Sequence, residues 1–251
     1  MRFLVTLHRW WGVAFCLLFA MWFASGAVMH FVPFPARSER PVTPEIDAAR
    51  GRADRIDYDQ WTVSGEFNCD RPLDRIALND EAETEAYLSS ATGAVVLSTT
   101  HSVRIANYLG SIPHWIYPAP LRHHAGVWRA LVWWLSLLGT IGAAIGVIIG
   151  VAKLVVAIRD RAWPYHGLQA WHHALGLIFA PFILTWIFSG FLSLGDSWPL
   201  KSLHTLDFEP LDTRPLLRTC VFVGLCLCGF AFSATGVVLA WRRVWRANEN
   251  D

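Results

Sequence analysis

Charge is scarce in this chain. Asp, Glu, Lys and Arg make up 16% of its 251 residues against 54% hydrophobic ones, and the formal net charge is +1. Holding a nucleic-acid backbone takes a concentrated basic surface, and only short Arg clusters at the ends of apolar runs are present, which argues against nucleic acid as a partner. Cysteine is also sparse. Four of the five, Cys16, Cys220, Cys226 and Cys228, sit inside apolar segments and leave Cys69 alone in the polar region, so no disulfide framework follows. On a helix the side chains of Cys226 and Cys228 diverge by roughly 200° and cannot grip one metal together, which makes them small packing residues. A Gly-rich dinucleotide fingerprint is missing as well.

What the chain has instead is long apolar runs. Four are of membrane length, and the composition between the first and second turns polar, with Pro33, Pro35, Pro41 and Pro44 marking the exit. The expectation is a mainly α membrane protein, a four-transmembrane-helix bundle with a small α+β extracytoplasmic domain between helices 1 and 2. Its parts are helix 1 over 1–32, the outer domain over 33–124, helix 2 over 125–158, a cytoplasmic loop over 159–170, and helix 3 over 171–195. An outer loop over 196–215, helix 4 over 216–241 and a cytoplasmic tail over 242–251 complete it. The first run resembles a signal peptide with a cleavage site near Ala24-Ser25-Gly26. Its length and its internal echo make it a retained anchor.

Within the outer domain, Thr43-Pro44-Glu45 has the form of a helix start and predicts a helix over 44–55. Strands are predicted over 61–64, 75–78, 86–89 and 94–97, with Thr92-Gly93 as the turn between the last two. In helix 2 the glycines 142, 146 and 150 fall on one face and predict close approach of a neighbouring backbone, in preference to a ligand groove. Arg2 and Arg9, Arg159 and Arg161, and Arg242, Arg243 and Arg246 all fall on one side of this scheme, which makes that side, and both termini, cytoplasmic.

The first and third spans echo one another. Leu7-His8-Arg9-Trp10-Trp11-Gly12, continuing to Trp22 and Ser25-Gly26, recurs at an offset of 164 residues as Trp171-His172-His173-Ala174-Leu175-Gly176, then Trp186 and Ser189-Gly190. His8 and His172 coincide in that alignment, and an ionisable side chain repeated at one membrane boundary points to a use. His8 and His30 are 22 residues apart, which on a straight helix separates them by about 33 Å along the axis and about 40° around it. One helix can therefore supply a ligand to each of two cofactors stacked across the bilayer. Neutral imidazole is a strong haem-iron ligand, and bundle cores hold such cofactors between facing helices. His8 pairs with His172 at the inner site, with His173 as the alternative. His30 pairs with His124 at the outer site, with His123 and His114 as substitutes. His101, His166 and His204 read as interfacial residues. A closed zinc site is disfavoured, because no carboxylate or thiolate accompanies these pairs.

These residues resemble the PepSY-associated transmembrane family of bacterial inner-membrane proteins. The likeness is carried by Leu7-His8-Arg9-Trp10-Trp11-Gly12 with Ser25-Gly26, the Ala86–Val96 stretch with its Thr-Gly turn, and His123-His124-Ala125-Gly126. Trp171-His172-His173-Ala174-Leu175-Gly176 with Ser189-Gly190, and Thr235-Gly236 before Trp241-Arg242-Arg243, complete it. The family includes ferric-siderophore reductases that hold two haems in a four-helix membrane bundle. The resemblance implies a PepSY-like outer domain, haem b at the four named histidines, and electron transfer across the membrane to a ferric siderophore or other iron chelate. The outer region is shorter than in the larger members and has room for a single PepSY-like unit. The electron donor is a soluble flavoprotein, a quinol or another membrane protein. Arg104, Arg122 and His114 are candidates to attract an anionic chelate, with solvated surface charge as the simpler account. A second class is a cofactor-free regulatory membrane protein whose outer domain binds a peptide or protein.

Overall fold

The structure is a computed structural model that describes residues 1–38, 53–193 and 213–248. In chain order the elements are α1 (Arg2–Phe31), β1 (Ala53–Ile56), β2 (Leu73–Ala77), β3 (Glu85–Ser89), β4 (Val95–Thr99), α2 (His101–Leu109), α3 (Ser111–His114), α4 (Ala119–His123), α5 (Ala125–Asp160), α6 (Gly167–Ser193) and α7 (Pro215–Asn248). They form two units. One comprises Met1–Ala27 with Arg129–Asp251, and the other Val28–Trp128.

The first unit is built from α1, α5, α6 and α7, each long and apolar enough to cross a bilayer. Its burial pattern is inverted relative to a water-soluble bundle. Large apolar side chains such as Leu17, Trp134, Ile148, Val155 and Phe230 are exposed, whereas the buried positions of α1 and α5 are mostly small: Cys16, Ser25, Gly26, Ser136, Gly139, Gly142 and Gly150 among them. Lipid tails solvate leucine as well as another leucine does. Association between membrane helices therefore falls to close packing of small residues. Two buried hydroxyls bond within their own helices, Ser25 Oγ donating to Met21 O at 2.6 Å and Ser233 Oγ to Gly229 O at 2.9 Å. The chain is thus mainly helical and multi-pass, as expected. Two boundaries move: α6 begins at Gly167 rather than 171, and α7 runs to Asn248 rather than 241. The predicted loop over 196–215 and His204 lie mainly outside the described residues.

The second unit is a four-stranded antiparallel meander in the order β1-β2-β3-β4, followed by α2. The core of the sheet is Trp61, Phe67, Leu73, Tyr87, Val96 and Leu97, against which Phe34, Ile56 and Ile112 pack. The β3–β4 turn falls at the predicted Thr92-Gly93, where Gly93 has φ +70° and donates to Ser89 O at 2.7 Å. A side chain at that φ is strained, which is why glycine serves there. α2 starts at its cap Thr100, whose hydroxyl accepts from Val103 N, and ends against Gly110. A Cβ at Gly110 would lie 3.2 Å from Val28 Cγ1 and 3.3 Å from Met29 N, so the end of α1 packs directly on this backbone.

One expectation for this unit fails, and another lies mostly outside the described residues. Residues 61–64 are not a strand. The Asp59 carboxylate accepts from Trp61 N, Thr62 N and Thr62 Oγ1, and the Arg71 guanidinium donates to Thr62 O at 2.8 Å and Ser64 O at 3.1 Å. Side-chain groups have taken the backbone partners that a sheet ladder would use. The predicted helix over 44–55 lies in residues outside the description up to 52, and residues 53–55 belong to β1, paired with β2 from Ala53↔Ile76 onward.

Asp70 is buried and accepts from Arg37 Nε at 2.7 Å, a bond that ties residue 37 to the sheet unit and holds the Asp70 carboxyl below its usual range. A carboxyl whose folded pKa is depressed contributes stability above its unfolded value, near 4, and loses that contribution as pH falls through the folded value. The near-UV circular dichroism of the protein in detergent is therefore expected to show an acid-side loss of this unit's tertiary signal. Asp70→Asn is expected to lower stability at neutral pH and to flatten that acid limb. An unchanged limb in the variant contradicts the assignment.

Candidate functional site

A cavity of about 850 Å³ lies within the first unit, between the start of α1, the second half of α5, the start of α6 and the second half of α7. His8, His172 and His173 all line it. Phe15, Phe19, Ala180 and Ile183 form an apolar interior, and Arg9, Arg242 and Arg243 lie along its lining where these helices begin or end. The two histidines aligned by the internal repeat thus reach one cavity from different helices.

The wall on α5 is made of glycine, and its use differs from the expectation. No partner backbone fills the stripe. The rings of α1 and a leucine of α6 do. A Cβ at Gly142 would overlap the Trp11 indole, one at Gly146 would come 2.7 Å from His8 Cε1, and one at Gly150 would come 3.0 Å from Leu177 Cδ2. Trp11 is fixed in this groove by its Nε1 donating to Leu138 O at 2.9 Å and by stacking on Phe15 at 5.6 Å. His8 follows one turn earlier on α1, pressed against Gly146, and its buried Nδ1 has no hydrogen-bond partner among the described residues. A buried imidazole nitrogen without a partner costs free energy unless something completes it.

The adjacent histidines of α6 differ in chemistry. His173 is buried and its Nε2 lies 2.9 Å from Gly150 O. A carbonyl only accepts, so this nitrogen carries the proton and ties α6 to α5. The rings of Trp163 and Tyr165 flank it at 5.3 and 5.2 Å. His172 turns towards α7, with Nδ1 2.8 Å from Thr235 Oγ1 and its ring stacked on Phe232 at 4.7 Å. Among the described residues its Nε2 has no such tie to a backbone carbonyl. Of the two, His172 is the one equipped to hold a metal through Nε2.

Two imidazoles lining an apolar interior, one of them with a buried nitrogen that has no partner among the described residues, have the chemistry to hold a planar prosthetic group. Among the described residues no group of three or more His, Cys, Asp or Glu is placed to hold a metal ion, as a closed zinc site would require.

The remaining predicted histidines lie in or beside the second unit. His30 is in the last turn of α1, edge-on to Phe31 at 5.2 Å. His123 stacks on Tyr58 at 4.2 Å, and His124 sits edge-on to His123 at 5.4 Å, just before α5. His114 ends α3. The segment carrying them is clamped by Gln60, whose amide donates to Tyr117 O at 2.7 Å and accepts from Ala119 N at 2.8 Å. The arginines considered for chelate attraction are engaged. Arg122 stands over the rings of Tyr117 and Trp128, and Arg104 donates to Thr99 O and Glu83 O. Sequence reasoning did not single out Trp11, Phe232 or Thr235 as site residues. The only cues were the aromatic next to the His8 motif and the Thr-Gly pair before Trp241.

Gly146→Ala is expected to push His8 out of its groove and to cost about 1–3 kcal/mol of stability, as overpacking a close contact does. Gly224→Ala, where nothing lies within 4 Å of the added Cβ, is expected to be neutral or stabilising by up to about 1 kcal/mol, the helix-propensity difference. Unfolding in mixed detergent micelles, followed by circular dichroism, separates the two; equal effects contradict the groove. The chain matches no family model, no curated protein and no solved structure.

Proposed function

We propose that this chain is a haem-bearing inner-membrane electron-transfer protein, akin to the ferric-siderophore reductases of the PepSY-associated transmembrane family that its sequence resembles. One observation carries the reading: His8 and His172, 164 residues apart, line the same cavity, whose α5 wall is cut back to glycine. Four helices long and apolar enough to span a bilayer supply the setting.

His8 and His172 would hold an inner haem b through their imidazoles. Haem supplies the one-electron change of its iron, and the protein sets ligation, burial and distance. Phe15, Phe19 and Ile183 keep water from the interior, and Arg9, Arg242 and Arg243 offer positive charge to the acidic groups of the ligand. The same arginines mark this side as cytoplasmic. His30 with His124, or with His123 or His114, would hold a second haem. A ferric siderophore or other iron chelate docked against the PepSY-like unit over 33–124 would be the electron acceptor. Outer-sphere reduction needs no acid or base, and the donor is a flavoprotein, a quinol or a membrane partner.

The test is a dithionite-reduced minus oxidised spectrum of the purified protein, together with a haem-to-protein ratio. Two haems per chain are expected, and His8→Ala and His172→Ala should each remove the same one. Loss of different haems breaks the pairing. Protein without a Soret band, after expression with adequate haem supply, overturns the reading in favour of a cofactor-free interaction protein.

A further inference from the structure

α7 presents three residues to the His172 ring from one face. Phe232 stacks on it with ring centroids 4.7 Å apart and planes 17° from parallel, Thr235 Oγ1 lies 2.8 Å from Nδ1, and a Cβ at Gly236 would come 3.6 Å from Cε1. These positions are related as i, i+3 and i+4, the spacing that places side chains above one another on a helix. The ring is therefore held on its face and at one nitrogen, and Gly236 leaves room beside Cε1.

The tautomer follows from counting protons. Thr235 Oγ1 donates to Phe232 O at 2.6 Å, and a hydroxyl has a single hydrogen to give. Towards His172 the oxygen can only accept, so Nδ1 carries the proton and the lone pair is at Nε2. His173 is the reverse case: its Nε2 donates to Gly150 O, and the buried Nδ1 is left without a partner among the described residues. Neighbouring residues with identical side chains are thus set into opposite tautomers by a threonine of α7 and a carbonyl of α5.

We infer that Thr235 is a positioning residue for the inner site, holding His172 in the Nε2-lone-pair tautomer and, by accepting the Nδ1 proton bond, setting how strongly that nitrogen donates to the iron. The inference rests on the haem reading of the cavity. A hydrogen-bond acceptor on the far nitrogen of a ligating imidazole raises its basicity, which favours ferric over ferrous iron, and outer partners of this kind are worth about 10- to 100-fold in affinity or activity.

The experiment compares wild type, Thr235→Val and Thr235→Ser in detergent, reading haem-to-protein ratio, the rate of haem loss to apomyoglobin and a spectroelectrochemical titration. Thr235→Val is expected to shift the midpoint potential of one haem upward, because the ferric state loses its support, and to weaken retention of that haem by about 10- to 100-fold. Thr235→Ser, which restores the hydroxyl, should return both towards wild type, an outcome that a merely space-filling role would not produce. Should Thr235→Val fail to accumulate, Thr235→Ala makes the same deletion with less bulk on Cβ. Wild type with haem and a hydroxyl-less variant unchanged in both potential and retention overturns the inference alone. Wild type without haem overturns it together with the function on which it rests.

Discussion

The glycine face of α5 is the constraint on which the first unit depends. Glycine inside a helix is unfavourable by about 1 kcal/mol relative to alanine, and α5 carries it at 142, 146 and 150 in successive turns. The clearance is used by side chains. Trp11 and His8 enter at the first two positions from α1, and Leu177 closes on the third from α6. Each contact is local, but together they decide how near two other helices approach α5 and where their imidazoles stand. Moving His8 outward by the width of a methyl group would separate it from the cavity that His172 and His173 line.

From that packing follows a division of labour among three imidazoles. His173 is committed to the Gly150 carbonyl and holds α6 to α5. His172 is held by α7 through Thr235 and Phe232. His8 sits in the groove, and its buried Nδ1, like that of His173, has no hydrogen-bond partner among the described residues. Membrane interiors penalise such an atom more than water-exposed sites do, because no solvent is at hand to complete it. Such nitrogens in a largely apolar cavity are the chemistry on which the haem proposal rests.

Much of the helical unit was legible in the sequence, because a run of apolar residues long enough to span a bilayer identifies itself without tertiary information. That His8 and His172 reach one cavity was legible for a different reason, the internal echo between the first and third spans. The tie of each α6 histidine was not: Thr235 and Gly150 lie 63 and 23 residues away from their partners, and neither interaction leaves a mark on local pattern. In the sheet unit, the β3–β4 turn showed through Gly93, which a positive φ requires. The run 61–64 misled because its buried Trp61 and Val63 alternate as in a strand, while Asp59 and Arg71, outside the run, take its backbone groups. α2 was hidden by its short length and mixed composition, and only its cap Thr100 marked its start.

What unites these observations is the claim that His8 and His172 act on one metal from opposite helices. The near-infrared magnetic circular dichroism of the oxidised protein tests it most directly, because the charge-transfer band of low-spin ferric haem reports which pair of axial ligands is present. The account predicts a bis-imidazole band for the inner haem that is abolished when His172 is replaced and retained when His173 is. A band of another ligand pair, a high-spin inner haem in the wild type, or loss on replacing His173 alone would contradict it.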